Sequence, residues 1–254
     1  MRLASSPLGA EGLGGGKAMI LAAGLGTRLK PWTDHHPKAL AIVNSKSLLQ
    51  RNIEYLQQYG IYDVVVNVHH FADQIKKAIE LNEGWGSRIT ISDERNEVLE
   101  TGGGLMKAAE YLIGDESFVL MNVDILTDLN FGDLISYHKQ HKPLATLATT
   151  NRETSRYFLF NEADELCGWR NVKTGQQKGE IKTSIKLVQK AFSGVHIIDP
   201  KIFSLIKHHG KFSMVDVYLS LMDKHIIKSF DHSGSKFIDV GKPESVAVAE
   251  QYFL

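Results

Sequence analysis

Between Leu21 and Lys38 the chain reads LAAGLGTRLKPWTDHHPK, a stretch of small residues closed by cations. Small side chains and two glycines, placed straight after an apolar run, let backbone come close to a ligand. The N–H groups of such a loop can cradle phosphate oxygens. Thr27 adds a hydroxyl and Arg28 a planar cation suited to bidentate phosphate contact; Lys38 follows Pro37 as a second cation. The string is not the dinucleotide fingerprint, because Leu29 occupies its sixth position, and no G-K-[ST] follows as a Walker A loop requires. Taken alone, Gly24 and Gly26 fit a plain turn with solvated charges equally well.

Two aspartates are the next candidates. Asp124 stands two residues beyond the apolar run FVLMN, and Asp239 closes FID just before Gly241. Carboxylates from two strand ends could share one Mg²⁺ with phosphate oxygens, since that ion takes few protein ligands. The competing reading is two loop aspartates capping neighbouring helices. A third feature is Glu100-Thr101-Gly102-Gly103-Gly104, where glycines let a flat base lie against backbone or form a flexible turn before a helix.

These groups need strands ending at one edge, and the pattern predicts that. Ala18–Ala23, Tyr62–Val68, Arg88–Ser92, Phe118–Asn122 and Leu144–Thr150 read as strands. Leu49, Ile53 and Leu56, then Phe71, Ile75 and Ile79, recur at helical spacing, and Phe131–His138 reads as helical. A helix following the glycines is expected to run to about Leu112. Alternating strands and helices predict a Rossmann-like three-layer α/β/α fold with a mostly parallel mixed sheet. Such sheets bind ligands beyond the carboxyl ends of their strands. Around Asn161–Asp164 the pattern becomes a hairpin of RYFLF and ELCGWR, a small β-rich insertion; AFSGVHII, two helices and SKFIDV follow.

Composition narrows the function. Lys plus Arg and Asp plus Glu both number 29, so no global basic field exists to hold nucleic acid. The single cysteine, Cys167, permits no intrachain disulfide and fits a reducing cytoplasm. No apolar run approaches the ~20 residues that span a membrane, so no membrane partner is expected. Residues 1–16 are Gly-, Ser- and Ala-rich and read as a flexible tail or an expression remnant, leaving 17–254 as the domain. The His pairs at 35–36, 69–70 and 208–209 lack H-E-x-x-H spacing and are read as non-ligating; Trp32, Trp85 and Trp169 are read as packing.

The loop as a whole resembles the signature of the sugar-1-phosphate nucleotidyltransferase superfamily, roughly L-A-A-G-x-G-T-R-L-x-P-x-T-x-x-x-P-K. Leu21, Ala22, Ala23, Gly24, Gly26, Thr27, Arg28, Leu29, Pro31, Thr33, Pro37 and Lys38 match in place. The resemblance implies that Gly24 to Arg28 wrap the triphosphate, that Leu21, Ala22 and Ala23 also contact the nucleotide, and that Arg28 and Lys38 are catalytic, with Lys38 at the phosphate undergoing reaction. It implies Mg²⁺ on Asp124 and Asp239, although Val123 stands where relatives carry Gly. It further implies nucleotide contacts from Glu100, Gly102, Gly103 and Asn122, and sugar contacts near Gly194 and Asp216.

Leu99-Glu100-Thr101-Gly102-Gly103-Gly104, with Asn122-Val123-Asp124, is most similar to the N-acetylmuramate-1-phosphate uridylyltransferase branch, a role in cell-wall sugar supply. On that reading Arg156 and Lys182 are candidates for the lactyl carboxylate. The expected partners are a nucleoside triphosphate and a sugar 1-phosphate, with the oligomeric state open. The alternatives are a mannose- or heptose-1-phosphate guanylyltransferase, a phosphocholine cytidylyltransferase, and a non-catalytic ligand-sensing subunit on the same fold.

Overall fold

Two residue periods decide the architecture. In β1 (Lys17–Leu21), Ala18 and Ile20 face one side of the sheet while Met19 and Leu21 face the other, and all four are buried. A strand apolar on both faces must be covered on both. The computed structural model, which describes residues 16–114, 116–179 and 186–253, meets that demand with helices on either side. The hairpin β2 (Ile42–Val43) and β3 (Lys46–Ser47) leads into α1 (Leu48–Gln57), capped by Ser47, whose Oγ accepts from Gln50 N. Then come β4 (Asp63–Val68), α2 (Ala72–Leu81), β5 (Arg88–Asp93), α3 (Glu100–Lys107), α4 (Ala109–Leu112) and β6 (Phe118–Asn122). β1 pairs in parallel with both β4 and β6, and β5 adds to β4 in parallel.

The second half continues with β7 (Ile125–Thr127), α5 (Phe131–His141), β8 (Ala145–Thr150), β9 (Arg156–Phe160), β10 (Leu166–Asn171), β11 (Gln177–Lys178) and β12 (Val188–Ile198). It ends with α6 (Ile202–Leu205), α7 (Met214–Leu221), β13 (Ile227–Asp231), β14 (Phe237–Asp239) and α8 (Pro243–Tyr252). The long strand β12 joins the halves. Its Val195–Ile198 part runs antiparallel to β6, its Ala191–Ile198 part pairs with β8, and its first residues pair with β9. One mixed sheet results, so the β-rich part grows out of the main sheet's edge. Ile20, Leu49, Ile53, Ile75 and Phe131 pack on one face, with α1, α2 and α5. Met19, Leu105, Ile202, Val217 and Tyr218 pack on the other, with α3, α6 and α7.

The expected strands and helices are present, with differences in detail: the helix expected to run to about Leu112 is divided into α3 and α4. Gly102–Gly104 lie inside α3 instead of preceding it. The helix tolerates them because each is buried against another element, where no side chain fits. β2, β3, β7, β11, β13 and α8 lie outside the expected pattern. No described helix is long and apolar enough to cross a membrane. The segment 1–15 and Lys182 fall outside the described residues.

Candidate active site

The carboxyl ends of β1, β4 and β6 open into a cavity of about 330 Å³ lined by residues 21–28, Lys38, Glu100, Asn122 and Asp124. Strand register places the first support. Leu21 is opposite Asn67 on β4, and the Asn67 amide oxygen accepts from Ala22 N at 2.7 Å and Ala23 N at 3.3 Å. Asn67 Nδ2 donates in turn to Glu94 Oε1 at 2.7 Å, just past β5. Glu94 is 1% exposed, and burial raises its carboxyl above the ordinary range. Gly104 allows this: a Cβ there would stand 2.7 Å from Glu94 Oε1 and 2.9 Å from Asn67 Nδ2. Ala22 and Ala23 therefore spend their N–H groups on Asn67. The N–H groups of Gly24, Leu25 and Gly26 have no acceptor among the described residues and are the ones left for phosphate.

Gly26 turns the loop at φ 63°, a left-handed conformation that glycine adopts without strain. Its carbonyl accepts from Leu29 N at 2.8 Å and Thr33 Oγ1 at 2.9 Å. A Cβ on Gly26 would lie 3.1 Å from Lys38 Cβ, so the missing side chain lets Lys38 pass directly beneath the loop. Lys38 Nζ is ion-paired with Asp124 Oδ2, both side chains being largely buried. Arg28 Nη2 stands 3.5 Å from Asp239 Oδ2; Arg28 lines the cavity and Asp239 lies just outside its lining. Residues 124 and 239 meet because β14 pairs with β7 and Val240 N donates to Asp124 O at 2.8 Å. The Val123 turn is held from α1, where Asn52 Nδ2 donates to Val123 O at 2.8 Å.

Burial raises the Asp239 carboxyl first, and the Asp124 charge adds to it; Lys38 and Arg28 pull the other way. Asp239 Oδ1 is buried without a hydrogen-bond partner. An orphaned carboxylate oxygen beside a second carboxylate fits a divalent cation. Among the described residues no cluster of three or more His, Cys, Asp or Glu exists, so further ligands would be phosphate oxygens and water.

The other expected contacts divide. Asn122 and Glu100 line the cavity. Gly194 does not, but a Cβ there would stand 2.8 Å from Asn122 Nδ2, so it makes room for Asn122. Gly102 and Gly103 also lie outside the lining. Their N–H groups donate to Phe212 O, and a Cβ on either would collide with Phe212 or the Gly210 carbonyl. Their smallness serves packing of α3 against the segment before α7. Asp216 is likewise outside: it accepts from Lys178 Nζ and Ser213 Oγ, both at 2.7 Å, in a cap on α7, and these bonds lower its carboxyl. Asn67, Glu94, Val98, Thr101 and Gly241 line the cavity without having been expected.

Comparison with known proteins gives the family. Residues 17–253 match the nucleotidyl transferase family. An N-acetylmuramate alpha-1-phosphate uridylyltransferase of Caulobacter vibrioides is 30% identical over 92% of this chain and 95% of its own length. A mannose-1-phosphate guanyltransferase beta-A of Xenopus laevis is 29% identical over 90% of this chain but 62% of its own length. The HddC protein of Yersinia pseudotuberculosis, solved with GMP-PN, superposes with a TM-score of 0.73 at 25% identity, covering 94% of this chain and 99% of its own. The chain belongs to the nucleotidyl transferase family, among the sugar-1-phosphate nucleotidyltransferases, enzymes that transfer a nucleoside monophosphate group.

Proposed function

We propose that the protein transfers uridylyl from UTP to N-acetylmuramate 1-phosphate and releases pyrophosphate. The observation that carries this substrate pair is the similarity to the Caulobacter uridylyltransferase along nearly its whole length. An acceptor phosphate oxygen attacks the α-phosphorus in line, and the bond to the β-phosphate bridging oxygen breaks. A phosphomonoester has its second pKa near ~6, so the nucleophile is already ionised at neutral pH and needs no general base. The barrier is repulsion between polyanions, which positioning and charge compensation lower.

In this reading the free N–H groups of residues 24–26 and Arg28 hold the triphosphate, and Lys38 meets the reacting phosphate. Lys38 approaches from beneath the loop, its ammonium fixed by Asp124. Asp124 and Asp239 would hold Mg²⁺, which would neutralise phosphate charge. Guanylyl transfer to mannose- or heptose-1-phosphate is the second reading, supported by the resemblance to HddC bound to GMP-PN and to the Xenopus guanyltransferase. Competing UTP against GTP with each sugar phosphate separates them. A kcat/KM tenfold or more higher for GTP with mannose 1-phosphate overturns the uridylyl reading.

A further inference from the structure

Arg152 lies at the same edge of the sheet as the two aspartates, yet none of the contacts described so far uses it. β6 and β8 both run antiparallel to β12, so they end on the same side. Asp124 stands two residues beyond the last residue of β6, and Arg152 two residues beyond the last residue of β8. Three contacts fix the guanidinium. Nη1 donates to Thr150 Oγ1 at 3.0 Å, Nη2 donates to Phe192 O at 2.7 Å, and the guanidinium carbon sits 4.4 Å from the Phe237 ring centroid. Phe237 and Asp239 are two residues apart on β14 and so share a strand face. An arginine stacked on Phe237 is therefore on the Asp239 side.

The charge state points the same way. Burial lowers the Arg152 proton affinity, and the Asp239 charge acts against that. No carboxylate lies within 4 Å of Arg152 among the described residues. His232 is hydrogen-bonded to Ser193 Oγ at 2.7 Å, and burial holds it at about 4, so it brings no second cation. A guanidinium has five N–H donors, and two hydrogen bonds are made here. A half-buried cation with spare donors and no carboxylate in direct contact suits an anion brought by a ligand.

Its position says which anion. In the sheet β1 is followed by β6, β12 and then β8, so Arg28 beside Asp239 and Arg152 on Phe237 approach β14 from loops three strand spacings apart, roughly 14 Å. The loop after β1 serves the triphosphate. We propose that Arg152 binds the phosphate of the acceptor, so that the two polyanions enter from opposite sides of the aspartate pair. This rests on the transferase reading above for the identity of the ligand, a sugar 1-phosphate, but not for the existence of an anion subsite.

Arg152→Gln and Arg152→Lys are compared with the wild type in pyrophosphate-release kinetics with UTP or GTP and a panel of hexose 1-phosphates. Binding of inorganic phosphate is measured in parallel by calorimetry, with the nucleotide present. The expected result is an acceptor KM raised about tenfold or more in Arg152→Gln, a nucleotide KM within twofold of wild type, and partial recovery in Arg152→Lys. A purely structural clamp would instead lower the melting temperature and leave the acceptor KM alone. Unchanged acceptor KM in Arg152→Gln overturns the inference. If the wild type turns over no pair, the transferase reading fails; phosphate affinity then decides the subsite, and equal affinity in wild type and Arg152→Gln overturns it.

Discussion

Gly241→Ala is a specific perturbation of the aspartate pair, because it removes no charged group. A Cβ at residue 241 would stand 2.6 Å from Asp239 Oδ1 and 2.7 Å from Arg28 Nη2, whereas ordinary contact begins near 3.4 Å. Arg28 is long, and its side chain is more than half exposed, so it can swing away. Asp239 is short and tied into β14, so its carboxylate must shift by about 0.8 Å. A displacement near 1 Å at a reacting centre costs on the order of 10²-fold, or about 2.7 kcal/mol of transition-state stabilisation. The expected outcome is a kcat/KM ~10- to 100-fold below wild type in pyrophosphate release, with a melting temperature within about 2 °C, since the clash falls on a side chain at the cavity and not on the core. Kinetics within twofold of wild type would refute the reasoning, because the carboxylate position would then not matter.

Other expectations follow from the same contacts. Lys38→Ala lowers kcat with little change in nucleotide KM, while Arg28→Ala raises nucleotide KM; a Lys38→Ala enzyme with only KM altered contradicts the role given to Lys38. Asn67→Ala frees the Ala22 and Ala23 N–H groups and strands Glu94, so calorimetry should show nucleotide affinity down about tenfold; unchanged affinity removes Asn67 as the support of the loop. Acid should weaken the fold above the range of ordinary carboxylates. Burial holds His138 at about 4 and His196 at about 3, so both stay neutral in the folded chain while the unfolded chain takes up protons below about 6.5. That stability is complete above pH 6.5 and is lost as pH falls, by about 2 kcal/mol per histidine at pH 5. Denaturant titrations at pH 7 and pH 5 measure it, and equal stabilities would contradict it.

What could be read from sequence was the part carried by local pattern. β1, β4 and β6 are short apolar runs, and their ends located the loop, Asn122 and Asp124 before any coordinates. Asn67 was hidden inside DVVVNV, where its neighbours marked a buried strand; only the register with Leu21 shows that its amide faces the loop. Glu94 was invisible for the same reason, since its partner is 27 residues away. The sequence of Gly102 and Gly103 fits a surface for a flat base or a turn before a helix, since glycine usually disfavours helix interiors. Here Phe212 and Gly210, more than a hundred residues on, demand the small residue and hold the helix regardless. Ser213-x-x-Asp216 carries a capping-box pattern that could have placed Asp216 at the start of α7. α8 had Pro243 at its first position as a start signal but little amphipathic contrast to extend it.

The central claim is that the pocket beneath residues 21–28 transfers a nucleoside monophosphate using the aspartate pair. The most direct measurement is pyrophosphate release with Mg²⁺ across a matrix of nucleoside triphosphates and sugar 1-phosphates, made on the wild type, Asp124→Asn and Asp239→Asn. The account predicts stoichiometric nucleotide-sugar and pyrophosphate from the wild type, fastest with UTP and N-acetylmuramate 1-phosphate. It predicts losses of ~10²-fold or more in both variants at unchanged melting temperature. Near-normal turnover by either variant would contradict it.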